Sequence, residues 1–264
     1  MNAAEMPPVA NRPLYLYRIL MKWFSFFIFG LGTLTLALLV FPVMLVFLHP
    51  KENFQKLARR LISVSFRGFI IMMGVLGVVE LDVEDRGAFR GLSSKIVVAN
   101  HPSLLDVVMM VSLIPNADVI VRGNLVENII VRGVVRRLYI LSSLDFDRIV
   151  EDCRTSLDRG NCMVIFPEGT RTPRSGEVRL KKGAARLSLL SGRDIIPVHI
   201  GGTDKYGLGK NDPFAAFNHT EKYIYRVRIQ GKISPGKYAG MEMPRAVRRI
   251  NDEIRELLFN PVNP

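Results

Sequence analysis

The residues best suited to chemistry fall in one stretch, Val97-Val98-Ala99-Asn100-His101-Pro102-Ser103-Leu104-Leu105-Asp106. An apolar, β-branched run stops abruptly at polar residues, and an apolar helical pattern follows. This predicts a buried strand that delivers His101 to a turn, with Asp106 in the first turns of the next helix. On one helix, residues five apart point about 140° away from each other. The two can therefore meet only if His101 lies outside the helix, and Pro102, suited to a first helical position, predicts that arrangement. An aspartate so placed accepts a hydrogen bond from one imidazole nitrogen and leaves the other as a base. That is the orienting half of a triad without its nucleophile. Such a pair is about as often structural as catalytic, so the rest of the chain has to decide.

A second stretch, Ile165-Phe166-Pro167-Glu168-Gly169-Thr170-Arg171, again closes an apolar strand with polar residues. In open α/β sheets ligands gather outside the carboxyl ends of strands, so both strand ends can line one crevice. From Arg171 to Arg193, seven basic residues (Arg171, Arg174, Arg179, Lys181, Lys182, Arg186 and Arg193) meet one acid, Glu177. A solvated basic face is the usual meaning of such a run. Directly after the Gly169-Thr170 turn, a phosphate site gains weight, because arginine forks match phosphate geometry.

The elements that must hold these residues follow from the hydrophobic pattern. Strands are predicted at 95–99, 117–121, 163–166, 195–200 and 223–230, and helices at 104–113, 128–138, 147–158 and 183–191. This alternation implies an α/β fold with a mixed, largely parallel sheet flanked by helices. Residues 201–220, with four glycines and one proline, read as a long loop that can face a substrate. Val247, Ile250, Ile254 and Leu257 form the apolar stripe of a closing helix over 244–258.

The N-terminal part differs in texture. Residues 1–13 read as a mobile tail. Residues 23–48 carry no charge, with Arg18 and Lys22 before them and Lys51 and Lys56 after. That run is long enough to cross a bilayer, which needs about 20 apolar residues. Basic residues at both ends leave its orientation open. A second apolar stretch, 61–79, contains Arg67, which predicts a helix lying in the interface or packed on the first. The expected organisation is an N-terminal tail with membrane-anchoring helices over 1–80 and an α/β domain over 81–264.

Composition narrows the partners. The 264 residues carry a net charge of +12, which implies anionic partners: nucleic acid, acidic phospholipid or a phosphorylated substrate. A mean hydropathy of +0.20 is high for a soluble enzyme and points to contact with lipid. No helix-turn-helix, zinc or RNA-recognition signature accompanies the charge, which argues against nucleic acid. No phosphate-binding Gly-Lys loop or dinucleotide fingerprint is present. Cys153 and Cys162 read as two buried thiols without metal-ligand spacing, His199 as a satisfied core histidine, and Tyr15, Tyr17 and Trp23 as an interfacial belt.

Taken together, Asn100-His101-Pro102-Ser103-Leu104-Leu105-Asp106 and Phe166-Pro167-Glu168-Gly169-Thr170-Arg171, 67 residues apart from His101 to Glu168, resemble the two hallmark blocks of the glycerolipid acyltransferases, typified by 1-acyl-sn-glycerol-3-phosphate acyltransferases. Weaker likenesses are Phe146-Asp147-Arg148, Lys182-Gly183-Ala184 and Ile196-Pro197-Val198. The resemblance covers roughly residues 80–230.

It implies transfer of an acyl group from a thioester, acyl-CoA or acyl-carrier protein, to the hydroxyl of a lysophospholipid, with no metal and no cofactor beyond that co-substrate. His101 would be the general base and Asp106 would hold its tautomer. Glu168, Gly169, Thr170 and Arg171 would position the acceptor, with Arg171 and Arg148 toward its phosphate and Lys182 also binding substrate, and a backbone N–H of these turns would face the thioester oxyanion. The location implied is a membrane, the bacterial inner membrane with the α/β domain on its cytoplasmic side. The family commonly has glycine and an aromatic residue where this chain has Ser142 and Asp145, and basic residues where it has Arg122-Gly123. These departures keep a lyso-aminolipid acceptor, such as lyso-ornithine lipid, in play, and a non-catalytic lipid-binding protein on the same fold is the remaining reading.

Overall fold

The structure, a computed structural model, describes residues 7–121, 140–141 and 145–261. The helix predicted at 128–138, together with Arg122-Gly123 and Ser142, lies outside the described residues. In chain order the elements are α1 (Arg12–Thr35), a π-helical segment (Leu36–Val40), α2 (Phe41–Phe47), α3 (Lys51–Val75), β1 (Val79–Val83), α4 (Arg86–Arg90), β2 (Ile96–Ala99), α5 (Asp106–Leu113), β3 (Ala117–Val121), β4 (Ile140–Leu141), α6 (Phe146–Asp158), β5 (Cys162–Ile165), α7 (Gly183–Ser191), β6 (Ile195–Gly202), β7 (Tyr223–Ile229) and α8 (Met243–Phe259).

The strands form one sheet in the order β1-β7-β6-β2-β5-β3-β4. Every neighbouring pair is parallel except β6 and β7. This is the mixed, largely parallel sheet expected from the alternation of elements. β2 sits at its centre, with Val97 opposite both Val164 and Ile196. All four of its side chains are buried because both faces of the sheet are covered. Val97 and Ala99 point to a core shared with α3 and α5. Ile96 and Val98 point the other way, to a core shared with α6, α7 and α8. The period of two along a strand divides one sequence between two cores.

Two strands went unpredicted, for different reasons. β1 alternates apolar residues with Glu80 and Asp82 at the sheet edge, so it does not read as an apolar run. β4 has two residues only. The second N-terminal helix also needs correcting: it spans 51–75, not 61–79. Its first turns are amphipathic, with Phe54 and Ala58 buried four residues apart and charges outward, so they escape a search for apolar runs. The tail is shorter than expected. Asn11 caps α1 by accepting from the Leu14 N–H at 3.0 Å.

α1, the π segment and α2 form one helical rod from Arg12 to Phe47, 36 residues with a mean hydropathy of 2.3 in its most apolar part. At 1.5 Å per residue that is about 54 Å, more than the roughly 30 Å of a bilayer's hydrocarbon core. Its outer face stays apolar and exposed, including Phe24, Phe27, Leu31 and Leu38. The inner face docks on α3, where Phe26 and Phe29 meet Phe69, and on the loop after β6. Lys22, which flanks the uncharged run, is fully buried, and its ammonium donates to the carbonyls of Phe214 and Ala216. Trp23 stacks edge-on against Phe214, and Tyr15 against His219. Both aromatics therefore serve packing as well as any interfacial belt. α3 is tied to β3 by a bidentate pair, Arg59 Nε and Nη2 donating to Asp118 at 2.5 and 2.9 Å.

Candidate active site

The site grows from the carboxyl end of β2. Asn100 leaves the strand but extends its ladder: its side-chain amide donates to Ile200 O at 2.9 Å and accepts from Ile200 N at 2.7 Å. The backbone is thereby held while it turns. His101 follows outside any helix, and residues 103–105 make a turn before α5 opens at Asp106. Pro102 does not take the first helical position, because the helix begins four residues later. The reason lies in Ser103. Its N–H and hydroxyl both donate to the Asp106 carboxylate, at 2.7 and 2.6 Å, and its oxygen accepts from Leu105 N at 3.2 Å. Ser103 and Asp106 thus close a hydrogen-bonded turn ahead of α5, whose first residue is Asp106.

The same carboxylate accepts from His101 Nδ1 at 2.8 Å. Asp106 is wholly buried, whereas 17% of the imidazole side chain stays exposed. The ring lies against Phe166, with centroids 4.5 Å apart. Among the described residues Nε2 has no partner. Behind Ser103 sits the buried Tyr225, its hydroxyl 2.8 Å from the serine oxygen. Since Ser103 donates to Asp106, Tyr225 donates to Ser103, and burial holds its hydroxyl well above the ordinary tyrosine range. Lys205 lies 4.6 Å over the Tyr225 ring, and burial, opposed by Asp106 and Asp204, brings its ammonium down to about 8.

The second stretch locks onto the first. Glu168 Oε1 accepts from His101 N and from the Thr172 hydroxyl, each at 2.8 Å, and Thr172 N donates to His101 O at 2.7 Å. Glu168 thus braces the histidine's backbone from a buried position, and Thr172, which the sequence did not single out, is its partner. Gly169 adopts φ +66°, and a Cβ there would fall 2.6 Å from Lys181 Cε. Lys181 is therefore the lysine laid over this turn, while Lys182 is exposed at the start of α7. Thr170 and Arg171 are half-buried. Arg171 Nη1 donates to Leu208 O and Gly209 O at 2.9 and 2.6 Å, and Leu208 O also accepts from Leu104 N. Arg171 and His101 hence stand at the same edge of the sheet. Arg148 is exposed on the first turn of α6, and no contact joins it to His101.

Most of the basic run has a structural partner. Arg174 forks between Asp204 and Asp212, Arg186 stacks 4.1 Å over Phe146, and Arg193 pairs with Asp158 at 2.7 Å. Arg174 so pins the loop after β6, and a cavity of about 240 Å³ opens between that loop, Pro102 and Thr172. The amides of His101, Ser103, Leu104 and Gly169 all have protein acceptors. Those of Thr170 and Arg171 have none among the described residues. His199 Nδ1 donates to Leu258 O, 2.7 Å away, so this half-buried histidine is satisfied within the fold. Cys153 and Cys162 are buried free thiols, and burial pushes the Cys153 thiol up to about 12.

Burial also raises the Glu168 carboxyl above its ordinary 4.5, against the pull of Thr172 and His101. The folded chain then keeps a proton that the unfolded chain has lost, and the stability this adds disappears as pH climbs through the raised value. Glu168→Gln retains an acceptor for His101 N and Thr172, so melting curves between roughly pH 4 and 8 should lose part of their downward slope and end no lower than wild type. Glu168→Ala should cost about 1–3 kcal/mol at low pH and less as pH rises through the raised value, by leaving His101 N only its 3.3 Å contact with Thr172 Oγ1. An unchanged slope in Glu168→Gln would contradict this account.

Residues 80–201, which hold both strand-end turns, match the acyltransferase family. A 1-acyl-sn-glycerol-3-phosphate acyltransferase of Cocos nucifera is 29% identical over 118 residues, 41% of this chain and 37% of that protein. The alignment therefore spans less than two fifths of this relative's length. The crystal structure of the 1-acyl-sn-glycerophosphate (LPA) acyltransferase PlsC from Thermotoga maritima superposes with a TM-score of 0.64 at 20% identity, over 91% of this chain and 95% of that one. At that identity the likeness is one of fold. The strand-end turns and the sequence match agree: residues 80–201 match the acyltransferase family and resemble the 1-acyl-sn-glycerol-3-phosphate acyltransferases.

Proposed function

We propose that this chain moves an acyl group from a thioester, acyl-CoA or acyl-carrier protein, to the free hydroxyl of 1-acyl-sn-glycerol 3-phosphate at a membrane surface. The observation that carries this reading is the histidine: Nδ1 is taken by a buried carboxylate, and Nε2 has no protein partner among the described residues. Nε2 accepts the proton of the acceptor hydroxyl as its oxygen attacks the thioester carbonyl, and Asp106 stabilises the imidazolium that results. The tetrahedral oxyanion is met by the Thr170 and Arg171 amides. On collapse the carbon–sulfur bond breaks, and the imidazolium returns its proton to the leaving thiolate. No acyl-enzyme is required, and both cysteines are buried in the fold.

Arg171 stands at the rim of the same edge, with Nη1 on loop carbonyls and the other side of its fork available to the acceptor's phosphate. Arg148 and Lys182, exposed at the starts of α6 and α7, add positive charge where helix N-termini already favour an anion. The apolar rod of α1 and α2, with its exposed outer face, supports the membrane placement.

Purified full-length chain supplied with an acyl-CoA or acyl-carrier protein and 1-acyl-sn-glycerol 3-phosphate should release free thiol only when donor and acceptor are both present. Faster turnover of lyso-ornithine lipid would move the acceptor to an aminolipid. Thiol release with no acceptor, or none with any donor, would overturn the transfer reading.

A further inference from the structure

A second cavity, of about 290 Å³, lies between α3, the start of β1, α4 and the end of α5. It shares no residue with the cavity beside His101. Four cations line it, Arg67, Arg86, Arg90 and Lys222, with a single carboxylate, Glu80, which is spent on Lys222 at 2.6 Å. Arg86 gives one N–H to Leu81 O at 3.2 Å. Among the described residues Arg67 and Arg90 have no hydrogen-bond or ion-pair partner. Three guanidinium groups without a carboxylate among them repel one another until an anion arrives, and their forks suit phosphate oxygens.

The surroundings say what carries that phosphate. The floor is apolar, including Ile70, Val79 and Leu113. Along α3 the side chains of Val64, Ile71 and Val75 are exposed. Arg67 lies three residues after Val64 and four before Ile71, on the same helical face. An arginine within an outward apolar stripe, at the mouth of a basic cavity, is placed to lay its stem along acyl chains and its head among lipid phosphates.

We propose that this cavity binds the phosphate of an anionic glycerophospholipid that is not the substrate, and that this lipid seats α3 at the membrane surface. The proposal rests on the membrane placement given above and not on the transfer chemistry.

Short-chain phosphatidylglycerol, titrated into the purified full chain in an uncharged detergent, should raise the melting temperature in a saturable way. At about one power of ten per one or two basic residues near a lipid surface, the triple variant Arg67→Gln/Arg86→Gln/Arg90→Gln should weaken the apparent affinity roughly a hundredfold. Arg67→Gln alone, at an exposed position, should weaken it several-fold and covers the case in which the triple variant folds poorly. Short-chain phosphatidylcholine should give no saturable shift. Equal affinity in the arginine variants, or an equal response to phosphatidylcholine, would overturn the proposal. Inorganic phosphate that binds as tightly as the lipid would also overturn it, in favour of a free-anion site. His101→Ala should retain the full response. If wild type transfers no acyl group yet its lipid response follows the arginines, the transfer reading fails and this one stands.

Discussion

His101→Ala is expected to reduce acyl transfer by about three orders of magnitude, within the range that a positioned general base contributes. Folding should be little changed, because the ring is partly exposed and its polar contact among the described residues is Asp106, which keeps both donors from Ser103. Asp106→Asn should lose a comparable factor for another reason. A side-chain amide cannot accept from His101 Nδ1, Ser103 N and Ser103 Oγ at once, so the imidazole loses its tautomer and the Ser103 turn loses an acceptor. That variant should also melt earlier than His101→Ala. Thiol-release rates at saturating donor, read beside the melting curves, separate the two effects. Transfer that survives in His101→Ala would remove the base assignment, whatever the fate of Asp106.

Asp118→Ala is expected to be the most damaging single change to stability among those considered. Asp118 is buried on β3, accepts both arms of Arg59 from α3, and also accepts from Ser156 on α6. Removing one partner of such a pair strands a guanidinium that is only 13% exposed, a change that costs about 3–5 kcal/mol. For a chain of this size the melting temperature should fall by roughly 10 °C. Removing both charges, as in Arg59→Met/Asp118→Leu, should recover most of the loss, because the penalty belongs to the stranded charge more than to the missing bond. A fall of less than about 2 °C in the single variant would show that α3 is not held to the sheet by this pair.

The elements that were legible in the sequence are those whose signal is local. β2 and β5 announce themselves as short apolar runs ended by polar residues, and α8 as an apolar stripe at helical spacing. The His101–Asp106 contact follows from five residues of chain and a turn. The two motifs that carry the resemblance meet at the carboxyl ends of β2 and β5. Elements buried on one side do not show as apolar runs: β1 alternates with acids, and the start of α3 hides two core residues among charges.

The roles of individual charged residues needed the tertiary structure. Within one basic run, Arg174 serves the loop after β6, Arg193 serves Asp158, Lys181 covers Gly169, and Lys182 stays in solvent. Glu168 turned out to hold the His101 backbone, 67 residues away, and Lys22 to latch α1 onto carbonyls more than 190 residues distant. The physical reason is range. Which face a side chain takes depends on a period of two or 3.6 residues, which a sequence displays. Which partner a charge meets depends on how strands are ordered in the sheet and where the connecting loops close, and no spacing along the chain records that.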